Sequence, residues 1–303
     1  MKIFLYSSPY QYYADNLIPL AQYFKKQGHQ VYGSYRLSID GEELMMVDDN
    51  KISKPDVVIL TQTWWYQDAE IAKQCRVPLY IIDHAPPMMR FTQPDGKKSH
   101  LYRKENLNQH YISWGQTTID IMKQVGYNGI NKALGSSRVE ETLKGIKENK
   151  MGHVLFDTSN RMEDKNLVNG FIKFVKQHPD QQFIIQEHSR SPQYFREALS
   201  YSNVRLNTHL TETELFEYSD FIFSFPSSAM IIPALQNKRI YGLYDKHFCS
   251  EARTYFKKYE NCVFNLKEQD AIPNYKRFIN SNILYKREEP ANERIYKYIM
   301  EGK

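Results

Sequence analysis

Lys2-Ile3-Phe4-Leu5-Tyr6, then Leu17, Leu20, Ala21 and Phe24, then Gly28 and His29-Gln30-Val31-Tyr32, form the stretch that decides the fold class. The first run is continuously apolar over the length of a buried strand, and the next four residues recur at helical spacing. Gly28 supplies the left-handed position that ends a helix, and the following run opens a second strand. A strand, a helix and a strand in that order make a crossover, and its handedness rule sets the two strands parallel.

Working outward, Asp56-Val57-Val58-Ile59-Leu60 reads as a further buried strand, Asp68 to Gln74 as a short helix, and Val77-Pro78-Leu79-Tyr80-Ile81-Ile82 as a strand. Tyr111-Ile112-Ser113-Trp114 reads as one more, completing a doubly wound first domain. Residues 140–150 are polar and charged, and β-α alternation restarts at His153-Val154-Leu155-Phe156. Helices are predicted over Lys165–Gln177, near Gln193–Leu199, and over Thr213–Tyr218 and Ala229–Gln236. Strands are predicted over Gln182–Gln186, around Val204-Arg205-Leu206, and over Asp220–Phe223 and Arg239–Leu243. The expected fold is α/β, two Rossmann-like doubly wound domains facing a cleft: an acceptor-side domain over 1–145 and a nucleotide-donor domain over 151–285. Residues 286–303 form a terminal helix, with Ile295, Tyr296, Tyr298 and Ile299 at its apolar positions, that packs back on the first domain.

The 303 residues suit two domains at roughly 100–200 residues each. Lys plus Arg number 40 and Asp plus Glu 35, a net charge of +5 that divides evenly between the halves, so neither half is the basic arm of a dedicated nucleic-acid binder. No apolar run approaches the roughly 18–20 residues of a membrane span, and the first strand is too short for a secretory core. Cys75, Cys249 and Cys262 are scattered, with no CxxC or Cys/His cluster. That pattern supports neither a disulfide framework nor a zinc site, and it places the chain in a reducing cytoplasm.

Ligands of open α/β sheets bind beyond the carboxyl ends of the strands, so four loops are singled out. Asp83-His84 follows one strand directly. The pair can act as a general base and its orienting partner, or the Asp caps a turn while the His fills a polar pocket. Gly135-Ser136-Ser137-Arg138 opens a helical segment and offers N–H groups, hydroxyls and a guanidinium to an anion; an ordinary helix cap has the same appearance. Asp157-Thr158-Ser159-Asn160-Arg161 follows the first strand of the second half. Ser224-Phe225-Pro226-Ser227-Ser228 joins a strand to a helix, where a phosphate-binding turn and a simple cap are equally compatible. Gln186-Glu187-His188-Ser189-Arg190 ends a neighbouring strand. The chain has no GxGxxG, no Walker A sequence and no DxD between apolar flanks, which removes support from nicotinamide, kinase and metal-clamped chemistry.

Taken together, Ser219–Ser228, Pro233-Ala234-Leu235-Gln236-Asn237-Lys238, His188, His84-Ala85 and Gly135–Arg138 resemble the signature of GT-B glycosyltransferases. The nearest branch is that of the CDP-glycerol glycerophosphotransferases and bacterial capsule or surface-carbohydrate transferases. The resemblance implies that Ser227 and Ser228 bind the donor diphosphate, that His188 neutralises the departing nucleotide, and that His84, with Asp83, activates the acceptor. Ser159, Arg161, Ser136 and Arg138 join the donor set. It implies a nucleotide-diphosphate donor as co-substrate, with no bound cofactor and no metal. The sequence departs from the pattern at Ala85, at Ser189 and at Phe225-Pro226, which puts a CDP-glycerol donor in question.

The acceptor side carries Arg90, Lys97 and Lys98 in a basic loop, and Trp64-Trp65 after a first-domain strand. The aromatic pair can stack on a sugar or a flipped base, or simply form a half-buried cluster. A surface glycan or other polymeric acceptor is the first expectation. Transfer to hydroxymethylated pyrimidines in DNA, as by phage-type enzymes, is the alternative, and a nucleotide-sugar-binding module without catalysis is a third.

Overall fold

The computed structural model describes residues 1–6, 11–33, 38–39, 42–43, 55–61, 77–83, 109–124, 129–145, 152–157, 165–187, 194–224, 231–236, 238–242, 283–286 and 288–302. The chain divides into two compact units. One comprises Met1–Glu141 together with Asn280–Lys303, and the other comprises Thr142–Ile279.

The first unit is built on β1 (Lys2–Tyr6), α1 (Gln11–Lys26) and β2 (Gln30–Gly33), the predicted crossover. A two-residue hairpin, β3 (Ser38–Ile39) and β4 (Glu42–Glu43), follows; it carries no apolar alternation, and periodicity does not reveal it. Then come β5 (Val57–Leu60), β6 (Leu79–Ile82), β7 (Gln109–Ser113), α2 (Gln116–Gln124), β8 (Ile130–Ala133) and α3 (Ser137–Gly145). Six strands pair in parallel in the order β2-β1-β5-β6-β7-β8. β7 ends at Ser113, so Trp114, expected within the strand, is the residue that follows it.

Side chains alternate across this sheet. Ile3, Leu5, Val57 and Ile59 meet Leu17, Leu20, Ala21 and Phe24 of α1 on one face, whereas Phe4, Tyr6, Val58, Leu60 and Met122 of α2 share the other. The C-terminal helix α7 (Ala291–Glu301) belongs to the α1 face: Ile295 and Ile299 are buried in its core. Two histidines fix the outer side of that helix. His29 Nε2 lies 3.3 Å from the Tyr296 hydroxyl, and His110 Nδ1 lies 2.8 Å from the Tyr298 hydroxyl.

The second unit contains β9 (Gly152–Asp157), α4 (Lys165–Gln177), β10 (Phe183–Glu187), β11 (Val204–Leu206), α5 (Glu212–Tyr218), β12 (Ser219–Ser224), α6 (Ile231–Leu235) and β13 (Arg239–Gly242). Its five strands are parallel, in the order β11-β10-β9-β12-β13. The helix expected near Gln193–Leu199 spans Tyr194–Ser200 and winds as a 3₁₀ helix. The core gathers Phe171 and Val175 of α4 with Leu155, Phe183, Ile185, Phe195 and Phe223. Among the described residues no helix is long and apolar enough to cross a membrane.

Candidate active site

On the first sheet, Asp83 stands one residue beyond β6 and is held from four sides. Its N–H donates to the Ile112 carbonyl at 2.9 Å, and its own carbonyl accepts the Trp114 indole N–H at 2.7 Å. Tyr111 donates its hydroxyl to Oδ1 at 2.9 Å, and Thr118 of α2 donates to Oδ2 at 3.3 Å. The residue is only 6% exposed. Burial pushes its carboxyl up to about 7, overriding the two hydroxyl donors that favour the charged form. Near neutral pH this carboxyl is therefore divided between proton-bound and charged forms, in a frame that sets the direction in which the chain leaves β6.

His84, Arg90, Lys97 and Lys98 follow Asp83 in the chain and lie outside the described residues, as do Trp64 and Trp65 beyond β5. β5 and β6 are neighbours, with Leu60 opposite Ile81, so the segments carrying these residues set out from adjacent strand ends.

Ser136 caps α3: its Oγ accepts the Val139 N–H at 3.3 Å. Gly135 before it has φ +89°, and a Cβ there would lie 2.4 Å from both Arg294 Nη2 and the Leu284 carbonyl, so only glycine fits. The turn is closed over by the C-terminal segment. Glu140 of α3 receives the Ala291 N–H at 2.6 Å and Arg294 Nη2 at 2.8 Å, and Arg294 also donates to the carbonyls of Leu134 (2.9 Å), Leu284 (3.0 Å) and Glu289. Ser136 and Arg138 both fall in the first unit, whereas Ser159, Arg161, His188, Ser227 and Ser228 fall in the second.

On the second sheet β9 is central, and the strand order reverses between it and β12. Its end residue Asp157 is opposite Glu187 of β10, and Phe156 is opposite Ser224 of β12. The segments holding Ser159 and Arg161, His188, and Ser227 and Ser228 thus begin at three adjacent strand ends. The side chains themselves lie outside the described residues. Glu187, the last residue before His188, is gripped by Arg196 through Nε at 2.7 Å and Nη2 at 2.8 Å, a two-pronged pair that orients a carboxylate.

Sequence reasoning did not single out Tyr111, Thr118, Arg196, Glu140 or Arg294. Their partners lie up to 160 positions away, and no local spacing marks them. Lys238, quoted above as part of the signature, donates from Nζ to the carbonyls of Phe216 and Ser219 (2.8 Å to the latter) and so closes the end of α5.

No protein-family model matches the chain, and no curated protein matches it in sequence. Solved structures do match its fold. UDP-GlcNAc 2-epimerase from Neisseria meningitidis bound to UDP-GlcNAc is 14% identical, with TM-score 0.60 over 100% of this chain and 99% of that one. The glycosyltransferase SnogD from Streptomyces nogalater is 11% identical, with TM-score 0.55 over 99% of each chain. The wall teichoic acid polymerase TagF is 14% identical, with TM-score 0.59 over 99% of this chain and 89% of its own. At these identities the likeness establishes the fold, two Rossmann-like α/β domains of the GT-B class.

Proposed function

We propose that the chain is a metal-independent GT-B glycosyltransferase, moving a sugar or a polyol phosphate from a nucleotide-diphosphate donor to a hydroxyl of a surface-glycan or other polymeric acceptor. The observation that carries this reading is the register of the second sheet. It starts the segments bearing Ser159 and Arg161, His188, and Ser227 and Ser228 from adjacent strand ends at the point where strand order reverses, the location where open α/β sheets take nucleotides. The solved neighbours support the same class: one is described with UDP-GlcNAc bound, another as a glycosyltransferase.

In sugar transfer, His84 removes the acceptor hydroxyl's proton, and Asp83 fixes the segment from which His84 emerges. The acceptor oxygen bonds to the sugar's anomeric carbon as the bond to the diphosphate oxygen breaks. The nucleoside diphosphate carries away the electron pair, its charge met by the hydroxyls and N–H groups around Ser227 and Ser228, by His188 and by Arg161. Such preorganised donors supply the stabilisation that a metal gives in other transferases.

The test is release of nucleoside diphosphate, or of nucleoside monophosphate where a polyol phosphate is transferred, from a panel of UDP-, CDP- and GDP-linked donors, with glycan acceptors and hydroxymethylated DNA as separate arms. His188→Ala, and Ser227→Ala combined with Ser228→Ala, should each lower turnover by about a hundredfold or more. Full activity in those variants would overturn the donor assignment. Conversion of UDP-GlcNAc to an isomeric nucleotide sugar, with no acceptor present, would replace the transferase reading by an epimerase one.

A further inference from the structure

In the first sheet the chain passes from β1 outward to β2, then returns and proceeds through β5, β6 and β7 on the other side, so the switch point lies between the carboxyl ends of β1 and β5. Tyr6 closes β1 there. Thr61 follows β5, and its N–H donates to the Tyr6 carbonyl at 3.3 Å. Thr61 is 2% exposed, and its Oγ1 has neither solvent nor, among the described residues, a hydrogen-bond partner. Buried hydroxyls are rarely left so, because a desolvated donor without an acceptor destabilises the fold. Other hydroxyls along this edge are spoken for: Tyr111 and Thr118 by Asp83, Ser113 by the Gly115 carbonyl, and Ser136 by the Val139 N–H. Ser137 Oγ is also without a partner among the described residues, but it lies within α3, away from the switch point.

The face on which Thr61 lies follows from β5. Val57 and Ile59 pack with α1, Val58 and Leu60 on the opposite face, so the alternation brings Thr61 to the α1 side. α1 begins at Gln11, shortly beyond β1, and runs back across the sheet for 16 residues, so its first turn stands at the same edge. That turn contains no acidic residue, and the leading N–H groups of a helix have no acceptor within the helix itself. A hydroxyl and backbone N–H groups that all donate are complementary to an oxyanion.

We propose that this strand-end edge is an anion site of the first unit, in which the Thr61 hydroxyl and the leading N–H groups of α1 hold a phosphate oxygen carried by the acceptor. Only the identity of the carrier rests on the transferase reading. The full chain labelled with 13C-methyl threonine tests it, the Thr61 signal being assigned by its absence in Thr61→Val. Sodium phosphate and glycerol 3-phosphate are titrated against sodium chloride at matched ionic strength.

Both phosphates should move the Thr61 signal to saturation. Thr61→Val should bind glycerol 3-phosphate about tenfold more weakly, equivalent to about 1.4 kcal/mol, while Thr61→Ser keeps the affinity. The valine variant should unfold at the wild-type midpoint or above it, since an unpaired hydroxyl is exchanged for a methyl group. An unmoved Thr61 signal, or a valine variant that loses stability with unchanged phosphate affinity, would overturn the site. A response to inorganic phosphate alone would overturn its assignment to the acceptor. UDP is titrated in parallel: failure of UDP to bind counts against the transferase reading, while the Thr61 signal still decides the anion site.

Discussion

Asp83 keeps a proton where most carboxylates would have lost theirs. Its folded carboxyl titrates near 7 because burial outweighs the help of Tyr111 and Thr118, whereas in the unfolded chain it titrates as an ordinary aspartate. The folded state therefore binds the extra proton between about pH 4 and pH 7. Since the raised value belongs to the folded form, its stabilising contribution is complete below the unfolded value and is lost as pH rises through the folded one. Asp83→Asn cannot titrate, so the difference in unfolding free energy between variant and wild type should climb in the variant's favour across that window, with a slope approaching about 1.4 kcal/mol per pH unit. Urea denaturation at several pH values measures it, and parallel stability profiles for the two proteins would refute the assignment. The same substitution separates anchoring from chemistry: if Asp83 serves by directing His84, the asparagine variant retains most turnover, whereas loss of turnover would make Asp83 itself the group that takes the proton.

The elements whose positions matter most are α3 and α7, joined by the buried pair Glu140–Arg294 at 2.8 Å. Arg294 also satisfies carbonyls of Leu134, Leu284 and Glu289, so one side chain ties the start of α3, the returning segment and α7 together. Removing one member of a buried pair leaves the other charged and unpaired. Arg294→Met should therefore cost about 3–5 kcal/mol in urea denaturation, and Glu140→Gln, which keeps an acceptor for the Ala291 N–H, should cost less. Equal losses would mean that the charge of the pair carries the whole effect and that Arg294's hydrogen bonds to the carbonyls add nothing to it. This pair also marks where sequence reading stops. β1, α1, β5, β6 and β10 were legible because a buried strand is continuously apolar and an amphipathic helix repeats its apolar residues. Arg294 looks in sequence like any solvent-facing arginine of such a helix, and only the return of the chain to the first unit buries it. For the same reason the bond from the Val139 N–H to the Ser136 hydroxyl, and that from the Trp114 indole to the Asp83 carbonyl, are visible only in the fold.

At the scale of the whole molecule, each unit has its own parallel sheet and its own core, and the chain enters the second unit within α3 and leaves it near residue 280. A donor held by loops of the second sheet should therefore be felt unevenly along the sequence. UDP at a hundred times its dissociation constant stabilises the state that binds it by about 2.7 kcal/mol. Hydrogen exchange with and without UDP resolves where that energy appears, since amides that open with the binding unit slow in proportion. The amides of β9, β10 and β12 should gain protection, because the loops proposed to hold the diphosphate begin at their carboxyl ends. The amides of β1, β5 and β6 should gain less, and they should instead respond to glycerol 3-phosphate if Thr61 and α1 hold an anion. Protection by UDP confined to β1, β5 and β6 would transfer the donor to the first sheet and reverse the roles assigned to the two units, because the strand-end segments carrying Ser227, Ser228 and His188 would then contribute nothing to its binding.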